Sequence, residues 1–344
     1  MNDIHSRIEA LRAALGGRLA ILGHHYQSDE VIAHVDFRGD SLELSRRVPQ
    51  LSAEHIVFCG VFFMAESAAV LARKGQRVHI PAPEAGCTMS NMAPAPLLTA
   101  VLEALSRGGR RVTPLTYVNS SAEVKAVCGR FGGSVCTSAN AKTMLAWALD
   151  QGEAVLFLPD KNLAANTADA LGLPRDERHV LNIRALGNRL DLAAASRARL
   201  LVWPGCCSIH HRLRARDVAE ARAAHPGCLM AVHPECPDET VRAADAAGST
   251  SFLIDFTAKA PAGSTVVIGT EEALVHRLAK QYAGEKTVLP LKDVRCGNMA
   301  KTTPERLAAL LETLDRAGPV HVAPEIAESA NLALRRMLDA CARA

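Results

Sequence analysis

Two adjacent thiols, Cys206 and Cys207, lie in the run VWPGCCSIHH, with His210 and His211 close behind them. Sulfur and imidazole donors packed into one turn point to metal, cluster or redox chemistry. The chain holds 10 cysteines, more than a core needs, yet no CxxC pair, which disfavours a zinc ribbon, a thioredoxin-type site and a ferredoxin-type run. Ligands for any one centre must therefore come from distant segments. Cys87 in PAPEAGCTM, Cys207 in PGCCSIHH and Cys296 in RCGNM each sit in a loop near a glycine (Gly86, Gly205, Gly297), where a bulky group can approach the backbone. They are candidates for a three-thiolate site, against the plainer reading of three structural thiols. Cys59, Cys136 and Cys228 lie in apolar runs and read as buried hydrophobes, while Cys128, Cys236 and Cys341 read as spare thiols. Three thiolates on a four-iron four-sulfur cluster would leave one iron to act on substrate as a Lewis acid, which suits elimination of water, whereas four would suit electron transfer.

Proton carriers and neutral donors recur beside these thiols. His24, His25 and Tyr26 follow the run LAILG; Tyr117 and Asn119 lie in TYVNSSAE; Thr137, Ser138 and Asn140 lie in CTSAN; His233 and Glu235 lie in AVHPEC; Ser249 and Thr250 lie in AGSTS. His, Tyr and Glu supply general acids and bases, and Ser, Thr and Asn supply donors for carboxylate or phosphate, so the pattern fits a small, multiply anionic substrate. His24, His210 and His233 stand out because each closes a strand; His34, His55, His79, His179, His225, His276 and His321 read as surface or satisfied core residues. Adjacent His24 and His25 point to opposite faces of an extended segment, which speaks against one zinc site using both. Ser41 in GDSLELSRR, taken alone, reads as a helix cap.

These residues need a scaffold that gathers strand ends. Short aliphatic runs alternate with Ala/Leu/Arg/Glu-rich helical stretches, the signature of β-α units and parallel sheets. The strand candidates fall into three groups: LAILGHHY, HIVFCGV and RVHIPAP; VTPLTYVN, GSVCTSAN and AVLFLPD; and RLLVWPG, CLMAVHPE and a run from TSFLIDF to TVVIGTE. Each group fills roughly 90 residues, a spacing that predicts an internally repeated α/β unit. Three α/β domains are expected at 1–107, 108–197 and 198–285, with seams near SRGGRR and DLAAASRAR and with 286–344, including a strand at TVLPL and two helices, packing back on the first. Ligands in such units bind beyond the carboxyl ends of strands, where the candidates lie.

Apolar residues make up 49% of the chain, enough for a large aliphatic core, and the net charge of +3 arises without a long basic block, so a nucleic-acid or anionic-membrane surface is disfavoured. The N-terminal MNDIHSRIEALRAALGG reads as an amphipathic helix rather than a signal peptide, and no apolar run approaches the ~20 residues of a bilayer span. A cytoplasmic location is expected from these features and from the reducing surroundings an exposed cluster needs.

The ordered set GHHYQSDEV, DFRGDSLELS, FCGVFFMAES, EAGCTM, TYVNSSAEVKA, CTSANA, FLPDKNLAANT, PGCCSIHHR, AVHPEC, AGSTSF, IGTEEALVHRL and RCGNM closely resembles the quinolinate synthase A family over residues 18 to 300. The resemblance implies three αβα domains with short parallel sheets in pseudo-threefold arrangement around one oxygen-sensitive four-iron four-sulfur cluster, with three cysteine ligands and one open iron. It implies condensation of iminoaspartate with dihydroxyacetone phosphate to quinolinate, with release of phosphate and two waters, for NAD synthesis. L-aspartate oxidase or aspartate dehydrogenase is the functional partner it suggests. Carried over by motif, the ligands are Cys87, Cys207 and Cys296, with Cys206 at a variable position. His24, Tyr26, Tyr117, His210, His233 and Glu235 become the catalytic set, and Ser41, Asn119, Ser138, Ser249 and Thr250 join His24, Tyr117, His233 and Glu235 as substrate contacts. Two departures stand out: Ser90-Asn91 where many members carry Ala-Asp, and CGRFGGSV, which reads as a loop-length variant. Competing readings are a non-catalytic iron–sulfur sensor or anion-binding protein on the same scaffold, an iron–sulfur dehydratase of another small carboxylate and, last, a zinc hydrolase. Intact Tyr26, His233 and Glu235 speak against a sensor.

Overall fold

Strands buried on both faces form parallel sheets that need helices on either side, and most of the apolar runs of this chain do so. The computed structural model describes residues 3–107, 109–183 and 192–343. The seam expected at Gly108 lies outside the described residues. The first sheet contains β1 (Leu19–His24), β2 (Phe37–Gly39), β3 (His55–Cys59) and β4 (Arg77–His79), in the order β2-β1-β3-β4. In the second, β5 (Val112–Tyr117), β6 (Ser134–Cys136), β7 (Ala154–Leu158), β8 (Arg178–Val180) and β9 (Leu200–Val202) run in the order β6-β5-β7-β9-β8. The third holds β10 (Leu229–Val232), β11 (Ala246–Ala247), β12 (Thr265–Gly269) and β13 (Thr287–Pro290), as β11-β10-β12-β13. All pairings among these strands are parallel.

One strand order is used in all three sheets. The first strand in sequence lies between the second and the third, and a fourth pairs outside the third; β8 is an addition at the edge of the second sheet. The internal repeat inferred from spacing is thus present as topology. Among the described residues, no helix is long and apolar enough to cross a membrane.

The structure differs from the sequence grouping in four places. RLLVWPG, grouped with the third unit, supplies β9, which pairs with β7 and β8 in the second sheet. TSFLIDF, read as part of a strand run, is the helix Thr250–Lys259: Ser249 Oγ accepts from Phe252 N–H, and Leu253 and Thr257 bury one face at helical spacing. The cap and the period outweigh the β-branched and aromatic composition. The tail also divides: TVLPL forms β13 at the edge of the third sheet, and helix Pro304–Thr313 packs Leu307 and Leu311 against Ile8 of the N-terminal helix Ile4–Leu15. Helix Pro324–Arg343 lies instead on helix Ala122–Arg130 and β6 of the second unit. Its seat is CGRFGGSV. Arg336 donates from Nη1 to the carbonyls of Gly129 (3.0 Å) and Gly133 (2.7 Å), so the stretch read as a loop-length variant also serves as the docking surface of that helix.

Candidate active site

The loops beyond the strands repeat as the strands do. At or just past the end of each first strand come His24 and Tyr26, Tyr117 and Asn119, or His233 and Glu235; beyond each second strand lie Ser41, Ser138 or Thr250; after each fourth strand comes one of Cys87, Cys207 and Cys296. With β9 placed in the second sheet, each unit contributes one of these thiols. All of these residues, with His210, line one cavity of about 370 Å³, a volume typical of small-molecule sites. Ser249 caps its helix and is not on the cavity wall, and Cys206 is not on it either. Ser41 does line it. The cap expected there is Asp40, whose carboxylate accepts from Leu42 and Glu43 N–H while Glu43 accepts from Asp40 N–H.

Each cysteine opens a tight turn of the same form. The N–H four residues on donates to the cysteine carbonyl, from Asn91 (3.2 Å), His211 (3.0 Å) and Ala300 (3.0 Å). The N–H groups of Met89 and Ser90 face Cys87 sulfur, that of His210 faces Cys207, and those of Asn298 and Met299 face Cys296; each favours a thiolate. Burial works the other way, pushing Cys87 up to about 11, Cys207 well above the usual thiol range and Cys296 upward. A metal-bound thiolate resolves this conflict, because coordination displaces the proton that burial retains. The cysteine turns therefore fit a thiolate-bound cofactor. Cys59, Cys128, Cys136, Cys228 and Cys236 are buried and do not line the cavity.

At the same end of the cavity lies a cluster of titratable groups, with the ligand-type atoms of Cys207, His210 and Glu235 all within 4.8 Å of one another. Glu235 Oε2 sits 3.1 Å from His210 Nδ1 and 3.2 Å from His233 Nδ1, and the two rings stack with centroids 4.3 Å apart. Burial favours the neutral acid, yet the two imidazoles outweigh it and hold Glu235 well below the usual carboxylate range. Its Oε1, like Asn119 Oδ1 and Thr137 Oγ1, is buried without a protein hydrogen-bond partner. Orphaned polar atoms on a cavity wall are what a polar ligand would satisfy. Tyr26 Oη lies 2.7 Å from Thr270 Oγ1 and 3.4 Å from His210 Nε2. Burial raises the Tyr26 and Tyr117 phenols well above their ordinary range, so both keep their protons, and burial likewise pushes His24 down to about 3 and His233 to about 4. The arrangement is a line of proton carriers, Tyr26–His210–Glu235–His233, beside a thiol.

Residues 6–339 match the family described as quinolinate synthetase A protein. The chain belongs to that family. A quinolinate synthase from Acidobacterium capsulatum is 42% identical over 347 positions, covering 98% of this chain and 93% of the relative. Those from Corynebacterium glutamicum and Streptomyces coelicolor are 42% and 41% identical, again over 98% of this chain and 88% of each relative.

Within this quinolinate synthetase A chain, several residues that shape the site escaped the sequence reading. Thr270 joins Tyr26 to His210, with Oγ1 3.1 Å from His210 Nε2. Arg277 of helix Glu272–Gln281 donates to Asp29 (2.7 Å) and to the carbonyls of His25 and Gln27, holding the Tyr26 loop. Asn162 and Asn166, one turn apart on helix Lys161–Leu171, donate to the carbonyls of Glu235 (3.0 Å), Pro234 (2.8 Å) and Cys236 (2.8 Å). Glu66 of helix Phe62–Leu71 accepts from Ala122 N–H at 3.3 Å, next to the Asn119 loop. In each case the helix after one unit's third strand holds the segment after the next unit's first strand, its loop in two units and the start of the following helix, Ala122, in the second. The available signal was FLPDKNLAANT and IGTEEALVHRL, which carry Asn162, Asn166, Thr270 and Arg277, but supporting residues look like ordinary polar helix positions until their partners are seen.

Proposed function

We propose that the chain is an enzyme, a quinolinate synthase of NAD biosynthesis, which condenses iminoaspartate with dihydroxyacetone phosphate to quinolinate and releases phosphate and two waters. The observation that carries this reading is the meeting of one thiol loop from each sheet and the Tyr26–His210–Glu235–His233 line on one cavity. Cys87, Cys207 and Cys296 would hold one four-iron four-sulfur cluster. When bound, it supplies an iron without a protein ligand that acts as a Lewis acid on substrate. Glu235, anionic and with one oxygen unpartnered, takes protons from substrate carbon or nitrogen. Tyr26 donates its phenolic proton to a departing hydroxyl and recovers one through His210. Ser41, Asn119, Ser138 and Thr250 donate to carboxylates and phosphate, and His24, Tyr117 and His233 shape the pocket around them. The head-to-tail loop holds support a pseudo-threefold frame of three units, with the second extending through Val202 to include β9. The imine would come from an aspartate-oxidising enzyme, either L-aspartate oxidase or aspartate dehydrogenase.

The test is iron and sulfide content of anaerobically purified protein, with quinolinate formation assayed on the same samples. Wild type should hold about four irons. Cys207→Ser should lose them together with activity, whereas Cys206→Ser should keep both. A full, active cluster in Cys207→Ser overturns the ligand assignment.

A further inference from the structure

The three cysteine loops are tied to the scaffold by one repeated backbone contact. In each unit the first N–H of the helix after the third strand donates to the carbonyl two residues before the cysteine: Phe62 to Ala85 (2.8 Å), Lys161 to Gly205 (2.8 Å) and Glu272 to Val294 (3.0 Å). The residue just before that N–H is the helix cap, and here the units diverge. In the second and third units it is an acid, Asp160 or Glu271, both buried. One carboxylate oxygen caps its own helix, Asp160 Oδ1 accepting from Leu163 N–H (2.7 Å) and Glu271 Oε2 from Ala273 N–H (2.8 Å). The other oxygen accepts from the cysteine's own N–H, Asp160 Oδ2 from Cys207 (2.9 Å) and Glu271 Oε1 from Cys296 (3.2 Å). In the first unit the cap is Val61, which has no such group.

We propose that Asp160 and Glu271 are positioning residues, latches that fix the backbone of Cys207 and Cys296 so that both sulfurs face the cavity before any metal arrives. The proposal deepens the functional reading and rests on it for the identity of what the thiols bind. Among the described residues, no side-chain acceptor on Cys87 N–H corresponds to these two acids. A carboxylate spanning a helix end and a ligand loop does two jobs, and they can be separated. Asp160→Ser keeps a short hydroxyl for the helix cap but cannot also reach Cys207 N–H; Asp160→Asn keeps the shape but turns an amide donor toward it. Glu271→Ser and Glu271→Gln do the same in the third unit.

Two readouts test the latches. In apo-protein, site-resolved alkylation followed by mass spectrometry should show Cys207 reacting faster in both Asp160 variants and Cys296 faster in both Glu271 variants, with Cys87 unchanged in all of them. In reconstituted protein, anaerobic iron release to a chelator should quicken roughly 10-fold or more, as for other lost ligand supports. Melting temperature of the apo-protein separates loss of the cap from loss of the latch, because the Ser variants retain the cap. Wild-type alkylation rates at Cys207 in Asp160→Ser and at Cys296 in Glu271→Ser would overturn the proposal, as would equal acceleration at Cys87. If alkylation follows the predicted pattern while wild type takes up no iron or sulfide, the latches stand and the cluster reading falls.

Discussion

Tyr26 and Glu235 owe their chemistry to their neighbours rather than to their residue types. The phenol touches Thr270 and His210, so Tyr26→Phe removes one proton carrier while leaving the ring packed. Quinolinate turnover should fall roughly 10²–10⁴-fold with iron content unchanged, measured as kcat on cluster-replete protein. His24 makes a prediction about stability. Burial, aided by His25, depresses its folded pKa from 6.5 to about 3, so below 6.5 the unfolded chain takes up a proton that the folded chain refuses. Stability from this group is therefore complete above that value and is lost as pH falls toward 3, at up to about 1.4 kcal/mol per pH unit. His24→Gln should flatten the fall in apo-protein melting temperature below the same pH; an unchanged slope would assign the acid sensitivity to other groups. Much at this scale was legible. The loops of Cys87, Cys207 and Cys296 were visible as glycine-containing turns after strands, a local property, but Cys206 shares the loop of Cys207 and only the family resemblance set it aside. Asp160 and Glu271 were not, because an acid at a helix start reads as a cap, and only the fold reveals its second oxygen on a cysteine N–H.

Elements were legible where period and cap agreed and illegible where sequence neighbours were not spatial neighbours. The second sheet shows the limit: β9 follows β8 in sequence but inserts between it and β7, so grouping by proximity sent RLLVWPG to the wrong unit. That error hid the regularity of one cysteine after each fourth strand. CGRFGGSV was read only as a loop-length variant because its partner helix lies some 200 residues away, as the Arg336 bonds to Gly129 and Gly133 record. A Cβ at Gly129 would lie 1.9 Å from Ser329 carbonyl oxygen, so the two helices touch backbone to backbone. Gly129→Ala should lower stability by about 1–3 kcal/mol by forcing helix Pro324–Arg343 off its seat, read as a drop in melting temperature and faster proteolysis of that helix. An equal melting temperature would mean the helix shifts without cost.

At the scale of the molecule, the three units hold one another's loops in a closed order, first on second, second on third, third on first. Arg277 makes the closing contact from three separate nitrogens, Nε to Asp29 and the two Nη to the carbonyls of His25 and Gln27, a planar spread that the single nitrogen of a lysine does not reproduce. Arg277→Lys should cost about 1–3 kcal/mol of stability and lower kcat by loosening the Tyr26 loop, while Arg277 variants keep full iron content because no cysteine is touched. Thermal melts, kcat and iron counts on the same preparation check this. Topology of this kind was only half legible: the sequence showed that something repeats, but not that each repeat supports the next. The closing contact also sets a schedule for biosynthesis. Arg277 reaches back to Asp29, 248 residues earlier, so the first unit leaves the ribosome long before the residue that clamps its loop has been made. Cys296 follows later still. If Cys87, Cys207 and Cys296 together hold the proposed cluster, the early thiols wait for their third companion during translation, and a nascent chain arrested before Cys296 should carry no stable cluster. On that reading iron delivery would follow completion of the third sheet, and a stalled-chain series probed for bound iron would date it.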